Sequence, residues 1–251
     1  MISAALLLLL SCAASAGPLI FSPNGDGVKD QVTFKLAFPE GASISSWKLE
    51  IHEAAAKGEL GPLIQSFSGK GSPPKEVKWD GHDNSRRLVT DGTYLFTMQV
   101  VTPAGNQQAI APSPLIVDRV PPQAAASVDL SLFSPNGDGA KDEAAFSMAA
   151  SDSNGLYGWL FTIKDKDGAA VRTMRGKGQP PAASRWDGRG DFEEDVPDGA
   201  YTFELTVDDL AGNRVTTASS PITVNRAGLI STVEVVPMLF SPNGDGTKDE
   251  V

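Results

Sequence analysis

Asparagine and aspartate side chains recur at fixed spacing in a glycine-rich segment of this chain. The segment reads Phe-Ser-Pro-Asn-Gly-Asp-Gly-Xaa-Lys-Asp and occurs at Phe21–Asp30, Phe133–Asp142 and Phe240–Asp249. Such oxygen-bearing side chains, interleaved with glycine, suit an EF-type calcium loop, because calcium takes about six to eight hard oxygen ligands around a sharp turn. The candidate calcium ligands are Asn24, Asp26, Asp30, Asn136, Asp138 and Asp142.

A tight turn accounts for the same residues without a metal. Counted from Ser22, the position that holds a bidentate acid in an EF-type loop carries Thr33, and the second copy has Ala145 there. Asn-Gly and Asp-Gly pairs supply backbone conformers with positive φ, and Asp26 and Asp30 can accept hydrogen bonds from the turn's own N–H groups. We favour the turn and keep a weak calcium site of extracellular affinity as the alternative.

The remaining titratable residues form no catalytic motif. His52 follows the apolar Ile51 in an alternating segment, which predicts that His52 faces solvent, and His82 lies in a loop. No Gly-Xaa-Ser-Xaa-Gly nucleophile motif accompanies either histidine. The acidic run 191–195 is typical of a solvated turn. We therefore predict no catalytic residue, no required cofactor and no enzyme activity.

The charge of the chain argues against nucleic acid as a partner. The formal net charge is −10 and the isoelectric point is near 4.7. A polyanion is repelled by such a protein unless lysine and arginine cluster locally, and the sequence has no such cluster. The expected partner is instead a protein or a component of the cell wall.

The first 17 residues have the composition and length of an export signal. Two processing sites compete: Ala14-Ser15-Ala16 suits a general signal peptidase, whereas Leu9-Leu10-Ser11-Cys12 resembles a bacterial lipobox. Cys12 is the only cysteine, so it is the lipidation candidate and no intrachain disulfide can form. The prediction is an exported bacterial protein of the periplasm, outer membrane or cell surface, touching a membrane only through such a lipid.

The spacing of the decapeptides predicts domain-sized units. Their first residues lie 112 and 107 residues apart, which is too long for a solenoid repeat and fits an independently folded domain. We assign 1–16 to the signal peptide, 17–120 to repeat 1, 121–227 to repeat 2 and 228–251 to the start of a third repeat. Since that third copy breaks off at Val251, we expect the chain to be a fragment.

Each repeat has the alternation of β-strands. Apolar and polar residues alternate along 32–38 and 47–51, and the same pattern recurs along 144–150 and 159–163. Each repeat then reaches Trp-Asp-Gly and later an Ala-Gly-Asn turn that leads into a last strand. With about seven short strands per unit and no amphipathic helix, the fold class is all-β, built from tandem immunoglobulin (Ig)-like β-sandwich domains.

One motif in each repeat predicts a tyrosine corner. Asp91-Gly-Thr-Tyr94 and Asp198-Gly-Ala-Tyr201 open the clearest strand of their units, as Asp-Xaa-Gly-Xaa-Tyr-Xaa-Cys does in immunoglobulin domains. The position of the half-cystine is occupied by Phe96 or Phe203. An aromatic ring is therefore expected where a disulfide lies elsewhere.

The ordered motifs resemble the Ig-like repeat of the bacterial flagellar hook-capping protein and of cell-wall proteases. The resemblance covers 21–117 and 133–224 and implies an Ig-like sandwich rather than a chemistry. It is compatible with three functions. The first is a non-catalytic envelope protein whose repeats are structural spacers or protein-interaction modules, the second is the accessory region of a secreted hydrolase, and the third is flagellar hook assembly.

Overall fold

The computed structural model describes residues 19–39 and 41–227. The predicted signal peptide, the lipidation candidate Cys12 and the start of the third repeat lie outside these ranges. Nearly all regular structure within them is β-strand, which confirms the all-β, tandem β-sandwich prediction. No helix in the described part of the chain is long and apolar enough to cross a membrane.

Repeat 1 contains two sheets that face each other across one core. The larger sheet has the order β1-β8-β6-β3-β4, with β7 also paired to β6, and the smaller sheet pairs β2 with β5. The strands are β1 Leu19–Phe21, β2 Val32–Lys35, β3 Ser46–Ala54, β4 Leu60–Lys70, β5 Glu76–Trp79, β6 Gly92–Val101, β7 Gln107–Ala109 and β8 Ser113–Val117. A short 3-10 helix, Ala56–Gly58, joins β3 to β4.

Repeat 2 has the same strand order in its larger sheet and one more strand in its smaller sheet. Its larger sheet has the order β10-β17-β15-β12-β13 with β16 on β15, and its smaller sheet has the order β14-β11-β9. The strands are β9 Gln123–Val128, β10 Leu132–Phe133, β11 Ala144–Ser151, β12 Leu156–Lys164, β13 Ala170–Lys177, β14 Ala183–Trp186, β15 Gly199–Asp209, β16 Arg214–Thr216 and β17 Ser220–Val224. β9 begins directly after Pro122 and pairs with β11, so the second sandwich starts immediately after the connection from repeat 1.

Aromatic side chains fill the space between the sheets. In repeat 2, the buried Trp186 packs against Phe133 and Tyr201 at ring-centroid distances of 5.3 and 5.5 Å. Phe203 lies 4.9 Å from Phe146 on the opposite sheet, and the corresponding pair in repeat 1 has the same separation. Paired phenylalanines thus bridge the sheets at the level where an immunoglobulin domain has its disulfide.

Both predicted tyrosine corners are present. The hydroxyl of Tyr94 donates to the carbonyl oxygen of Thr90 at 2.7 Å, and the hydroxyl of Tyr201 donates to that of Pro197 at the same distance. Each bond ties the start of a long strand to the loop before it. Burial raises the pKa of both hydroxyls, so they remain protonated donors at neutral pH.

Two local predictions were wrong. The Ala-Gly-Asn turn was expected to lead into a last strand, but two strands follow it in each repeat, because a second break divides each segment into β7 and β8 or β16 and β17. His52 was expected to face solvent, yet its side chain is only 15% exposed and its Nδ1 lies 3.1 Å from the carbonyl oxygen of Gly61. A register irregularity between β3 and β4 at His52 interrupts the alternation on which that prediction relied.

Candidate functional site

The predicted metal-ligating residues of the decapeptides hydrogen-bond mainly to their own loop. In repeat 1 the two carboxylate oxygens of Asp30 accept the N–H groups of Gly25 and Gly27 at 2.6 and 2.8 Å. Asp26 accepts the N–H of Val28 at 2.7 Å, and Asn24 accepts that of Asp26 at 3.0 Å. Positive φ angles at Gly25 and Gly27, 83° and 89°, allow the chain to turn so tightly.

Repeat 2 builds the same loop. Asp142 accepts the N–H groups of Gly137 and Gly139 at 2.8 and 2.7 Å, and Asp138 accepts that of Ala140 at 2.8 Å. Asn136 accepts the N–H of Asp138 at 3.1 Å and donates to its carboxylate at 2.9 Å. The six candidate ligands therefore form two similar hydrogen-bonded loops, and the calcium assignment stays a prediction.

These bonds favour the charged form of the loop carboxylates. The N–H of Val28, followed by the amide of Asn24, lowers the pKa of Asp26 below its ordinary value. The amide of Asn136, followed by the N–H of Ala140, does the same for the pKa of Asp138. Because the pKa is lower in the folded protein, these bonds stabilise the fold at a pH above the ordinary carboxyl pKa. This contribution is lost as the pH falls through the pKa of the folded state.

The decapeptide of repeat 1 also contacts repeat 2. The hydroxyl of Ser22 donates to Oδ1 of Asn213 at 2.5 Å, and Lys29 Nζ donates to the carbonyl oxygen of Leu210 at 2.6 Å. Asn24 donates to the same Oδ1 at 3.3 Å. We call the loop residues Ser22, Asn24 and Lys29, together with Asp118 directly after β8, the first socket.

The turn between β15 and β16 occupies this socket. Asp209 orients it, because one carboxylate oxygen accepts the N–H groups of Gly212 and Asn213 at 2.7 and 2.9 Å. The other oxygen accepts Nδ2 of Asn213 at 2.8 Å, and the same Nδ2 donates to the carbonyl oxygen of Asp118 at 2.9 Å. Asn213 is thus the central residue of the joint between the repeats, bonded on both of its amide atoms.

The joint buries polar groups to an unusual degree. Ser22, Asp118, Asp209 and Asn213 are 0%, 2%, 1% and 1% exposed. A buried polar group that loses its partner costs about 1–3 kcal/mol. An altered angle between the repeats would separate these partners, so the network favours one relative orientation.

Negative charge is concentrated beside the joint. Asp118, Asp152 and Asp209 each offer a carboxylate oxygen, and the three oxygens lie within 4.8 Å of one another. Asn154 bridges part of the cluster by donating to Asp118 Oδ2 at 2.7 Å. Burial is the main cause that raises the pKa of Asp209, and the charge of Asp118 adds to it.

Close approach explains a glycine at the tip of the turn. Gly212 has a φ of 99°, and a Cβ at this position would lie 2.9 Å from Cγ1 of Val28 in the other repeat. Gly105, the corresponding residue of repeat 1, has a φ of 82°, but a Cβ there would meet nothing within 4 Å. The two glycines share a backbone requirement, and only Gly212 has a neighbour across the joint.

Known proteins give a partial match. No protein-family model matches the chain. Part of it is similar to the C5a peptidase of Streptococcus pyogenes serotype M3, strain ATCC BAA-595 / MGAS315, with 29% identity over 125 residues. The serotype M1 protein of the same name is 28% identical over the same length. Each alignment covers 44% of this chain and 10% of the relative, so the match spans about a tenth of the curated relatives' length.

Solved structures with a similar backbone are Ig-like and fibronectin-III-like modules. The fibronectin(III)-like modules of Clostridium thermocellum CbhA match at 14% identity and a TM-score of 0.46, covering 87% of this chain and 93% of that one. A tetra-tandem repeat from the extending region of a large adhesion protein matches at 15% identity and a TM-score of 0.34. The match covers 78% of this chain and 45% of that one. The resemblance to the hook-capping protein repeat stays a prediction.

The joint was not found by sequence reasoning. Its hydrogen bonds between the repeats connect residues that are 36 to 191 positions apart, and local patterns contain no information on such pairs. A comparison between the repeats could have indicated it, because Asp209 and Asn154 of repeat 2 replace Thr102 and Ala42 of repeat 1. A carboxylate or an amide side chain present in only one copy is unlike the shared core positions.

Calcium is expected to have a small effect on stability. The carboxylate oxygens of Asp30 and Asp142 already accept glycine N–H groups, and an incoming ion would have to compete with these bonds. Exchanging EDTA for millimolar calcium should therefore move the thermal midpoint by a few degrees at most, as measured by calorimetry. Magnesium at equal ionic strength is the control. A large rise specific to calcium would contradict the turn interpretation.

Proposed function

We propose that the chain is a non-catalytic, exported spacer in which Ig-like repeats are held at a fixed angle by the polar joint. The observation that carries the proposal is the burial of Ser22, Asp118, Asp209 and Asn213 between the repeats. A flexible string of domains would have an exposed and variable junction, whereas this junction contains mutually bonded groups. The similarity to part of C5a peptidase is consistent with an exported chain.

The connecting segment supports the same role. Arg119 Nε pairs with Asp91 at 2.6 Å, and its Nη2 donates to the carbonyl oxygen of Val89 at 3.0 Å, which holds the segment against repeat 1. Pro121 and Pro122 follow and restrict the backbone before β9 begins. Few rotatable bonds thus remain between the two sandwiches, and a short stiff connection transmits orientation.

The proposal predicts a narrow distance distribution between the repeats. Spin labels on Lys78→Cys and Arg185→Cys, in a chain with Cys12→Ser, lie on strands of different sandwiches and report the angle by double electron–electron resonance. Gly212→Ala should shift or broaden the distribution because its Cβ meets Val28. Gly105→Ala places a side chain at a similar positive φ, but its Cβ contacts no residue of the other repeat, so the distance distribution should stay unchanged. A broad distribution in the parent chain would contradict the rigid spacer.

A second candidate is the accessory region of a secreted hydrolase. The C5a peptidase similarity favours it, because that relative is about ten times longer than the matched part. In this case the same joint would set the position of a catalytic domain elsewhere in the protein. The gene sequence beyond codon 251 distinguishes the two: a catalytic motif supports the accessory role, and further repeats or a cell-wall anchor support the spacer.

A further inference from the structure

Repeat 2 contains a second copy of the socket. Its residues are Ser134, Asn136, Lys141 and Asn225, which occupy the positions of Ser22, Asn24, Lys29 and Asp118. Corresponding backbone hydrogen bonds shape the two sockets. The N–H of Ser22 donates to the carbonyl oxygen of Lys29 at 3.1 Å, and the N–H of Ser134 donates to that of Lys141 at 2.8 Å. The second socket is therefore already formed.

The connecting residues after the second socket are also prepared. Asn225 donates its N–H to the carbonyl oxygen of Phe133 at 3.0 Å and accepts the N–H of Ala227 at 3.0 Å. Asp118 makes the same two bonds in repeat 1, at 3.1 and 3.0 Å. Arg226 pairs with Asp198 through Nη1 at 2.9 Å, where Arg119 pairs with Asp91 through Nε. Nε of Arg226 donates instead to the carbonyl oxygen of Pro135 at 3.2 Å. A chain leaving repeat 2 thus starts in the direction taken by the connection that leaves repeat 1.

The two sockets differ in their exposure to solvent. Ser22 and Asp118 are buried by repeat 2, whereas Ser134 is half-buried and Asn225 is exposed. The second socket therefore presents the same serine, asparagine and lysine side chains, with Asn225 in place of Asp118, on an accessible surface of the described structure.

We propose that the second socket binds the Asp-Xaa-Ala-Gly-Asn turn of a further Ig-like repeat of the repeat 2 type. This inference rests on the proposed spacer function and extends it by naming the partner. The decapeptide that recurs at Phe240–Asp249 indicates that another such unit is encoded next to repeat 2. The motif then has one role throughout the chain, which is to join each repeat to the following one.

Aspartate at the start of the turn determines which repeats can bind. In repeat 2, Asp209 has one oxygen for the turn backbone and another for the Asn213 amide. Repeat 1 has Thr102 at this position, and its single hydroxyl oxygen accepts the N–H of Asn106 at 3.2 Å. No second oxygen remains to orient the amide, and Asn106 is exposed. The turn of repeat 1 is therefore a poor partner for either socket.

The sockets differ at one position, with one loss and one gain. Nδ2 of Asn225 cannot accept the hydrogen bond that Asn154 donates to Asp118 Oδ2 in the first joint, but the amide carries no charge. Asn225 replaces Asp118, whose charge contributes to raising the pKa of Asp209 in the observed joint. An incoming turn carries its own buried aspartate, and a neutral amide does not repel it. The second joint would thus bury one carboxylate fewer than the first.

An extended chain tests the proposal. Residues 1–227 are followed by a second copy of 121–227, because Ala227 corresponds to Val120 and the connection keeps its register. Spin labels replace Arg185 and its counterpart in the added copy, with Cys12→Ser. We expect a distance distribution as narrow as that of the first joint. The matched control carries Asp209→Thr in the added copy only, which introduces the residue of repeat 1, and its distribution should broaden at least twofold.

The outcomes separate this inference from the spacer proposal. A second sample labelled at Lys78→Cys and Arg185→Cys reports the first joint in the same extended chain. One outcome is a narrow distance distribution at the first joint and an equally broad one at the second joint, both with Asp209 and with Asp209→Thr in the added copy. This outcome overturns the inference and does not affect the spacer proposal. Equally narrow distributions at the second joint with and without Asp209→Thr also overturn the inference, because the aspartate would then have no effect on binding. A broad first joint contradicts the spacer itself. Tryptophan fluorescence of each chain verifies that the added copy is folded.

Discussion

Replacing Trp186 by alanine is expected to unfold repeat 2 at a temperature at which repeat 1 remains folded. The indole is 1% exposed, and its Nε1 donates to the carbonyl oxygen of Arg189 at 2.7 Å. Removing a buried aromatic side chain typically costs about 3–5 kcal/mol, while a domain is stable by only about 5–15 kcal/mol. The loss is thus a large part of the stability of repeat 2.

Separate cores are the reason that repeat 1 should survive. The buried apolar residues form one cluster per repeat, the first between Phe21 and Val117 and the second between Phe133 and Val224. The contacts described between the repeats are largely polar. Unfolding of repeat 2 therefore removes from repeat 1 only the partners of its socket.

Calorimetry can separate the two effects. Trp186→Ala should divide the melting curve into an early transition and a later one near the parent midpoint. Trp79→Ala is the matched variant in repeat 1, because Trp79 is equally buried and donates to the carbonyl oxygen of His82 at 2.8 Å. It should destabilise the other sandwich by a similar amount. A single transition lowered as a whole in both variants would show that the repeats fold as one cooperative unit.

Much of the sandwich could be predicted because its determinants are local. Alternation along β2 and β11 places Phe34 and Phe146 in the core, and a tyrosine two residues before a phenylalanine identifies the strand that begins with the corner. Such patterns need only neighbouring residues. The irregularity at His52 could not be predicted, since it depends on how β4 pairs with β3.

The candidate site was only half visible in the sequence. The decapeptide was recognised as a tight turn or a calcium loop, because its glycines and carboxylates are consecutive in the chain. Its contact with repeat 2 depends on Asn213, which lies 191 residues from Ser22. The repetition of the motif indicated its importance, and the structure shows that its first copy contacts the following repeat.

Replacing Asn213 by alanine is expected to lower the free energy of unfolding of repeat 2 by about 2–4 kcal/mol. The change removes a hydrogen bond to the buried carboxylate of Asp209 and leaves the Ser22 hydroxyl and the Asp118 carbonyl oxygen without this partner. Hydrogen bonds to charged groups contribute about 1.5–3 kcal/mol, and unsatisfied buried groups add to the cost. Denaturant titration followed by tryptophan fluorescence measures the loss.

The loss should depend on pH in a direction fixed by Asp209. Its pKa is raised by burial, so its ionisation opposes folding above the folded-state pKa, and this penalty disappears as the pH falls below the unfolded value of 3.8. Asn213 partly offsets the penalty by donating to the carboxylate. The difference in free energy of unfolding between the parent chain and Asn213→Ala should therefore be largest at neutral pH and smaller near pH 4. Asn106→Ala is the control, because Asn106 is exposed, and its effect should stay within about 0.5 kcal/mol. Equal effects of the two substitutions would contradict a joint that depends on Asn213.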